Sequence, residues 1–458
     1  MNCLQGEWDR FFGGPGFSVC YFDAVKQTSD GGYILTGQTD SYGSGRADVW
    51  LIKTDSHGNE LWNKTFGGTG FDAGTSIIQS SDGSYVIAGT KDGFASISAV
   101  WLIKTDTNGN EIWSKTYEGD GWTGWCVRET TGGGYIIAGT TRGEPTEVLL
   151  IKTDANGNHL WNRTYGDNGV DYAPAVRQTD DGGFILVRTH SDGNYEDQIG
   201  DIWLVKTDEN GDVLWDKTFA EEGEDISRSV QQTADGGYII AGIKGQTQDT
   251  GSGWLIKTDR NGNKLWDKTF TENGNEGLTA VQQTTDEGYI MTGYMTPYAG
   301  ASKDLWVIKT DSDGNILWDK NFDKYGSTDE GRSIEQTADG GYIIAGACNM
   351  LIWLIKAEPS PANIDIQRIS GGLGITIIVT NTGPGDAADI PWSLDVRGST
   401  VMLGQHSEGV IRSLSAGETA RIKGLVIGFG PAEMYISVEN QLVRKYCNLL
   451  GPFVIGVI

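Results

Sequence analysis

Cysteine and histidine are scarce, 5 and 4 among 458 residues, and the cysteines at 3, 20, 126, 348 and 447 include no C-x-x-C pair. No zinc or haem site is readable from that spacing. Positive charge is also short: 35 Lys and Arg stand against 61 Asp and Glu, a formal net charge of −26. Nearly all of this excess lies before residue 363. A nucleic-acid partner needs a basic face and is excluded; cations, or surfaces that carry them, suit the chain better. No apolar run approaches the roughly 20 residues of a membrane span, and no signal-peptide pattern follows Met1. The apolar tail 449–458 reads as a last buried strand. Asn63-Lys-Thr and Asn162-Arg-Thr are glycosylation sequons, a weak pointer to export.

Glycine (67 residues) and tryptophan (16) are abundant, and both recur at fixed spacing. The stretch 232–270, QTADGGYIIAGIKGQTQDTGSGWLIKTDRNGNKLWDKTF, returns in close copies from the first residues to about residue 358. Within it, two short apolar runs flank an Asp-Gly-Gly turn and two more flank Asp-Arg-Asn-Gly-Asn. Each unit is therefore two hairpins, or four short strands. Repeats of this length with four antiparallel strands select a β-propeller. Trp50, Trp101, Trp203, Trp254, Trp306 and Trp353 mark the third strands, with Leu149 in the remaining place, so seven blades are expected. The segment 7–12, EWDRFF, matches a fourth strand, and the last unit lacks one. The amino-terminal strand is thus expected to complete blade 7 and close an all-β, seven-bladed ring, which removes the free sheet edges.

The expected domains are 1–358 for the propeller and 363–458 for a small β-sandwich, joined by the proline-rich linker 357–362. In the second domain, 364–369, 375–379, 392–396, 421–427 and 434–438 read as strands. The Asp-Gly-Gly and Asp-x-x-Gly-Asn turns are short and share one face of the ring, whereas the longer connections share the other, where recognition is expected. In that register Cys20 and Cys348 fall in loops of neighbouring blades, as a disulfide or as isolated buried thiols.

The GGYIIAG, WLIKTD and GNxLWxKTF motifs resemble the repeats of β-propellers in secreted and cell-surface proteins of archaea, especially methanogens, and of some bacteria. The resemblance covers about residues 7–358. It implies a surface location and a binding or structural role, and it brings no catalytic residues. The segments SGGLGITIIVTNTGPGDAADIPWSLDV and LLGPFVIGVI resemble immunoglobulin-like, adhesion-related modules appended to such proteins.

A feature repeated in every blade reads as scaffold. This applies to the fourth-strand tryptophans (Trp8, Trp62, Trp113, Trp161, Trp215, Trp266 and Trp318), expected as wedges between blades, and to the Lys of each IKTD, expected in an ion pair. The D-x-N-G-N turn is too short for a calcium loop and reads as a hairpin turn. Asp72, Asp171, Asp225, Glu276 and Asp329 recur seven positions before the Gln of the QT motif, either capping loop backbone or holding cations. Asymmetry marks two further places. Asp192, Asn194 and Glu196, with Glu224 and Asp225 from the next connection, form an acidic loop that is either solvated or a set of hard oxygen ligands, for which calcium is the fitting ion. Trp122 and Trp125, with Phe94 and Tyr195, are the candidates for ligand stacking.

No local catalytic motif is present and no catalytic residue is assigned. The expected function is an extracellular or cell-surface binding or adhesion protein that recognises protein or carbohydrate through the long-loop face. One alternative is a structural subunit of a cell envelope or filament, a homo-oligomer assembled through the carboxy-terminal domain. The other is a polysaccharide-active enzyme, which would need two carboxylates facing each other across a cleft.

Overall fold

Every repeat folds as a four-stranded antiparallel sheet because its apolar runs are seven residues or so long and are separated by turns that demand positive φ. The computed structural model describes residues 6–21, 23–93, 98–119, 121–142, 146–166, 170–191, 200–247, 250–271, 274–297, 301–324, 326–357, 364–381, 387–398, 400–414, 418–438, 441–455 and 457. Two compact units are present, Met1–Ala357 and Glu358–Ile458.

The first unit is a β-propeller of seven sheets, each with strand order one to four from the axis outward. Six sheets are sequential. The seventh takes its first three strands, Asp329–Gln336, Tyr342–Cys348 and Leu351–Ala357, from the end of the repeats and its fourth, Gly6–Phe12, from the start of the chain. In that ladder Trp8 lies opposite Lys356, Phe11 opposite Trp353 and Phe12 opposite Ile352. Phe11 and Trp353 stack with ring centroids 5.5 Å apart. Asp9 binds both the Trp353 indole N–H (3.2 Å) and Lys324 Nζ (2.9 Å).

Three repeated devices hold neighbouring blades together. The Gln of each QT motif (Glu129 in blade 3) accepts a backbone N–H from the preceding blade's turn. This begins with Ser29 N to Gln79 Oε1 (2.9 Å) and closes with Ala338 N to Gln27 Oε1 (2.8 Å). Each fourth-strand Trp packs on the aromatic that opens the next blade's second strand, from Trp62 on Tyr85 round to Trp8 on Tyr33. These indoles are half-buried wedges, except Trp318, which is buried. Glycine is obligatory in the outer turn for the same reason: Gly109 has φ 75°, and a Cβ there would stand 2.5 Å from the Trp62 ring. Third, six of the seven IKTD lysines are buried and bind the Asp of the inner turn, as in Lys257 to Asp235 at 2.7 Å. Blade 3 lacks that Asp, and Lys152 donates instead to Thr130 Oγ1 at 2.9 Å.

The outer turns are hairpin turns, with Asp106 Oδ1 accepting the backbone N–H groups of Asn108 (2.9 Å) and Asn110 (2.8 Å). Cys20 and Cys348 are free and buried, as are Cys126 and Cys447. Burial pushes the Cys20 thiol up to about 12.

The second unit packs a three-stranded sheet (Ile364–Ser370, Ile375–Asn381, Thr419–Gly424) against a seven-stranded one. Ile377, Val379 and Ile422 from the first meet Leu394, Met434, Ile436 and Val438 from the second in one core. The run 421–427, expected as one strand, straddles a switch between sheets: Thr419–Gly424 belongs to the first and Ile427–Val438 to the second. The latter strand tolerates Pro431 because it sits just past the stretch paired to Ala387–Gly398, where no ladder N–H is required on that side.

Candidate functional site in the propeller axis

Seven identical blades would make a featureless ring, so function must lie where they differ. The hairpin turns do not differ in length. Five residues separate the first from the second strand in all seven blades, as from Gln27 to Tyr33, and five separate the third from the fourth wherever that turn occurs. On the opposite face the connection from second to third strand runs from two residues (349–350) to eight (40–47).

The innermost strands differ more. Each carries a β-bulge in its first half: the extra residue is Thr75, Trp125, Arg228, Thr279 or Arg332 in blades 2, 3, 5, 6 and 7, and the register also shifts between Tyr172 and Ala175 in blade 4. In blade 1, Asp23 takes this place with φ 61°, and the strand is broken into Ser18–Val19 and Val25–Gln27. A bulge re-aims one side chain out of the alternating pattern. Asp23, Trp125, Arg228 and Thr279 accordingly line a cavity of about 430 Å³ on the axis, to which the first strands of all seven blades contribute. The residue before the QT glutamine also faces it, and here too the blades diverge: Lys26, Ile78, Arg128, Arg177, Gln231, Gln282 and Glu335.

The cavity's charges are organised around Asp23. Its carboxylate pairs with Arg128 of blade 3 and with Lys26 at 3.1 Å, and accepts the Ser76 hydroxyl of blade 2 at 3.0 Å. Burial alone would raise its pKa; Arg128, Lys26 and Arg177 outweigh that and hold it far below the usual aspartate range. Arg128 is raised in return, since Asp23 more than offsets its burial. Arg177 and Arg228 are lowered, first by burial and then by a neighbouring guanidinium, Arg128 and Arg332 respectively. Arg332 pairs with Glu330. Positive charge is therefore in excess on this lining.

Trp125, one of the expected stacking residues, is half-buried on the cavity wall, and its indole N–H donates to Thr140 Oγ1 at 3.2 Å. Trp122 is half-buried away from it, packed on the core between blades 2 and 3. Phe94, Tyr195, Asp192, Asn194 and Glu196 lie outside the described residues. Asp225 is fully buried and accepts Glu221 N (2.7 Å) and Gly245 N (2.9 Å), so it caps loop backbone; burial raises its pKa and those donors oppose the rise. Asp72, Glu276 and Asp329 cap their loops in the same way. Glu224 is half-buried near Arg228, its pKa raised by burial. Among the described residues no three His, Cys, Asp or Glu side chains converge as a metal site.

A scan of the sequence against protein-family descriptions finds no match, and a search of curated proteins finds none. Solved structures do align. BBS1N in complex with ARL6DN matches at TM-score 0.47 and 11% identity over 76% of this chain and 97% of that one. The WD40 domain of Neurospora crassa Pan2 matches at 0.46 and 10% over 75% and 89%. Sqt1 from Chaetomium thermophilum matches at 0.46 and 11% over 76% and 98%. The blade count and ring closure rest on the strand pairing above. No helix among the described residues is long and apolar enough to cross a membrane.

Trp125 apart, the channel residues carry no signal within a single repeat. Their signal lies across blades: aligned on the QT glutamine, the position two before it is Val or Ile throughout, while the positions one and four before it range over Lys, Arg, Glu, Asp, Gln, Thr, Trp, Ile and Pro.

Proposed function

We propose that this is a binding protein of the cell surface or exterior, an adhesion or recognition module that takes a protein partner on the long-connection face of its propeller. The observation that carries the reading is an exposed apolar group where the ring closes. Phe17 (40% exposed), Tyr42 (44%) and Met350 (63%) come from three different connections on that face. The backbone ties them together: Asp40 N donates to Phe17 O at 3.0 Å and Ser18 N to Met350 O at 2.8 Å. Exposed aromatics beside an adaptable methionine, held on rigid strands, have the composition of a protein-binding hot spot. Carbohydrate is the other ligand class such a face could take, through Trp122 or the connections that vary in length.

A second reading, assembly of copies through the carboxy-terminal unit, is favoured by exposed Phe429, Leu450 and Phe453, which stand opposite one another on three consecutive strands. We also propose that this unit is an immunoglobulin-like module and that the acidic loop 192–196 binds calcium.

The test uses full-length protein, binding to intact source cells and to a glycan array. Phe17→Ser/Tyr42→Ser/Met350→Ser is expected to weaken cell binding at least tenfold, and Leu61→Ser/Leu265→Ser, exposed on the outer strands, to leave it intact. Unchanged binding in the triple variant, or loss in the outer-strand control, contradicts the reading. Cleavage of an arrayed glycan points to an enzyme instead.

A further inference from the structure

We propose that the axial cavity binds a small oxyanion, a carboxylate or phosphate compound gripped by Arg128 and Arg177, with Arg228 adding positive charge to the lining. The proposal is independent of the loop-face reading, because this cavity shares Gln27, Gln79, Gln282 and Glu335 with the recess framed by the short inner turns and so opens toward the opposite face.

In a chain of net charge −26, the lining places four cations (Lys26, Arg128, Arg177, Arg228) against two carboxylates (Asp23, Glu335). Both carboxylates are engaged, Asp23 as described and Glu335 with Lys26 at 4.0 Å and Gln27 N at 3.2 Å. Arg128 spends one arm of its fork on Asp23, while its Nη2 is buried with no hydrogen-bond partner. Among the described residues Arg177 bonds only Val176 O (3.0 Å) and, weakly, Cys126 Sγ (3.7 Å), so the rest of its guanidinium is left for the cavity. The neutral groups favour the same ligand. Gln231 and Gln282 spend their Oε1 on Gln283 N (2.8 Å) and Gln336 N (2.5 Å) of the next blade, which leaves each amide NH₂ as the group it can offer.

The site is therefore rich in donors and poor in free acceptors, and it excludes cations and neutral acceptor-poor ligands. Planar guanidinium forks at several points of the wall match the paired oxygens of carboxylate and phosphate. A volume of about 430 Å³ admits a small organic acid or a sugar acid, with Trp125 as the aromatic part of the wall.

Calorimetry on the full chain, with citrate, glucuronate and inorganic phosphate each against chloride of equal ionic strength, tests this. At least one probe is expected to bind and raise the melting temperature; citrate or glucuronate alone marks a carboxylate site, and phosphate alone a phosphate site. Arg177→Gln leaves Asp23 its bonded partners Arg128 and Lys26, so it is expected to fold and to melt close to wild type without anion, and to weaken the best probe at least tenfold. Arg260→Gln, exposed on an outer turn, is expected to change nothing. Phenylglyoxal footprinting of the wild type supplies a readout free of any folding defect: the best probe should protect Arg177 and leave Arg260 reactive. No probe binding above chloride, equal affinity in Arg177→Gln, or no protection of Arg177 overturns the proposal.

Discussion

Removal of residues 1–12 is expected to abolish cooperative folding of the propeller. The deletion takes away the fourth strand of blade 7, the Phe11–Trp353 stack, the Trp8–Tyr33 wedge and the buried Phe12. Losing a buried aromatic such as Phe12 costs about 3–5 kcal/mol, and with the half-buried Trp8 and Phe11 and a strand ladder the loss is on the order of 10 kcal/mol, comparable with the whole stability of a typical domain. The edge of Leu351–Ala357 left bare is an apolar template, so the truncated chain is expected to associate in size-exclusion chromatography. Phe12→Ala alone should fold and lose about 3–5 kcal/mol in chemical denaturation. A truncated chain that stays monomeric with an unchanged melting transition would show that the ring does not depend on this strand.

The second large effect concerns Asp23. Its replacement in Asp23→Asn leaves Arg128 in the axis without its counter-charge, and breaking a buried pair from one side costs about 3–5 kcal/mol. The pH dependence has a definite sign. Asp23 is lowered in the folded state, so its contribution is complete above the ordinary value of 3.8 and is lost as pH falls below it toward the depressed folded value. Wild type and Asp23→Asn are therefore expected to differ fully at neutral pH and to converge as the solution becomes strongly acidic, with denaturant midpoints at a series of pH values as the measurement. A gap that widens toward acid would mean that Asp23 is not ion-paired. Arg177→Gln offers a contrast within the same cavity, because Arg177 has no carboxylate bonded to it among the described residues.

What the sequence made legible is whatever repeats. The hairpin turns, the third-strand tryptophans and the match of EWDRFF to LWDKTF are each written several times over, and the strands form where those signals stand. The inner strands were harder: the one that ends at the QT glutamine of blade 5 runs Glu224–Gln232, and bulges at Asp225 and Arg228 break the alternation that marks a strand. The channel was hidden for a related reason. Asp23 meets Ser76 and Arg128, 53 and 105 residues away, through contacts that exist only once three blades stand side by side. The acidic positions seven before the QT glutamine were visible as a pattern, but only the loop backbones that Asp72 and Asp225 cap show what they do. In the carboxy-terminal unit, the Gly428, Gly430 and Pro431 cluster reads as a turn, yet it lies inside the strand Ile427–Val438. The ladder there has a gap that no local pattern announces.

Amide hydrogen exchange on the full-length protein tests the closed ring most directly. If the amino-terminal strand completes blade 7, the amides of residues 8–12 should be protected to the same degree as those of residues 352–356, and both should open only with the propeller as a whole. Exchange of residues 8–12 at the rate of an unstructured peptide, with 352–356 still protected, would contradict the closure and with it the arrangement of blades around the charged axis.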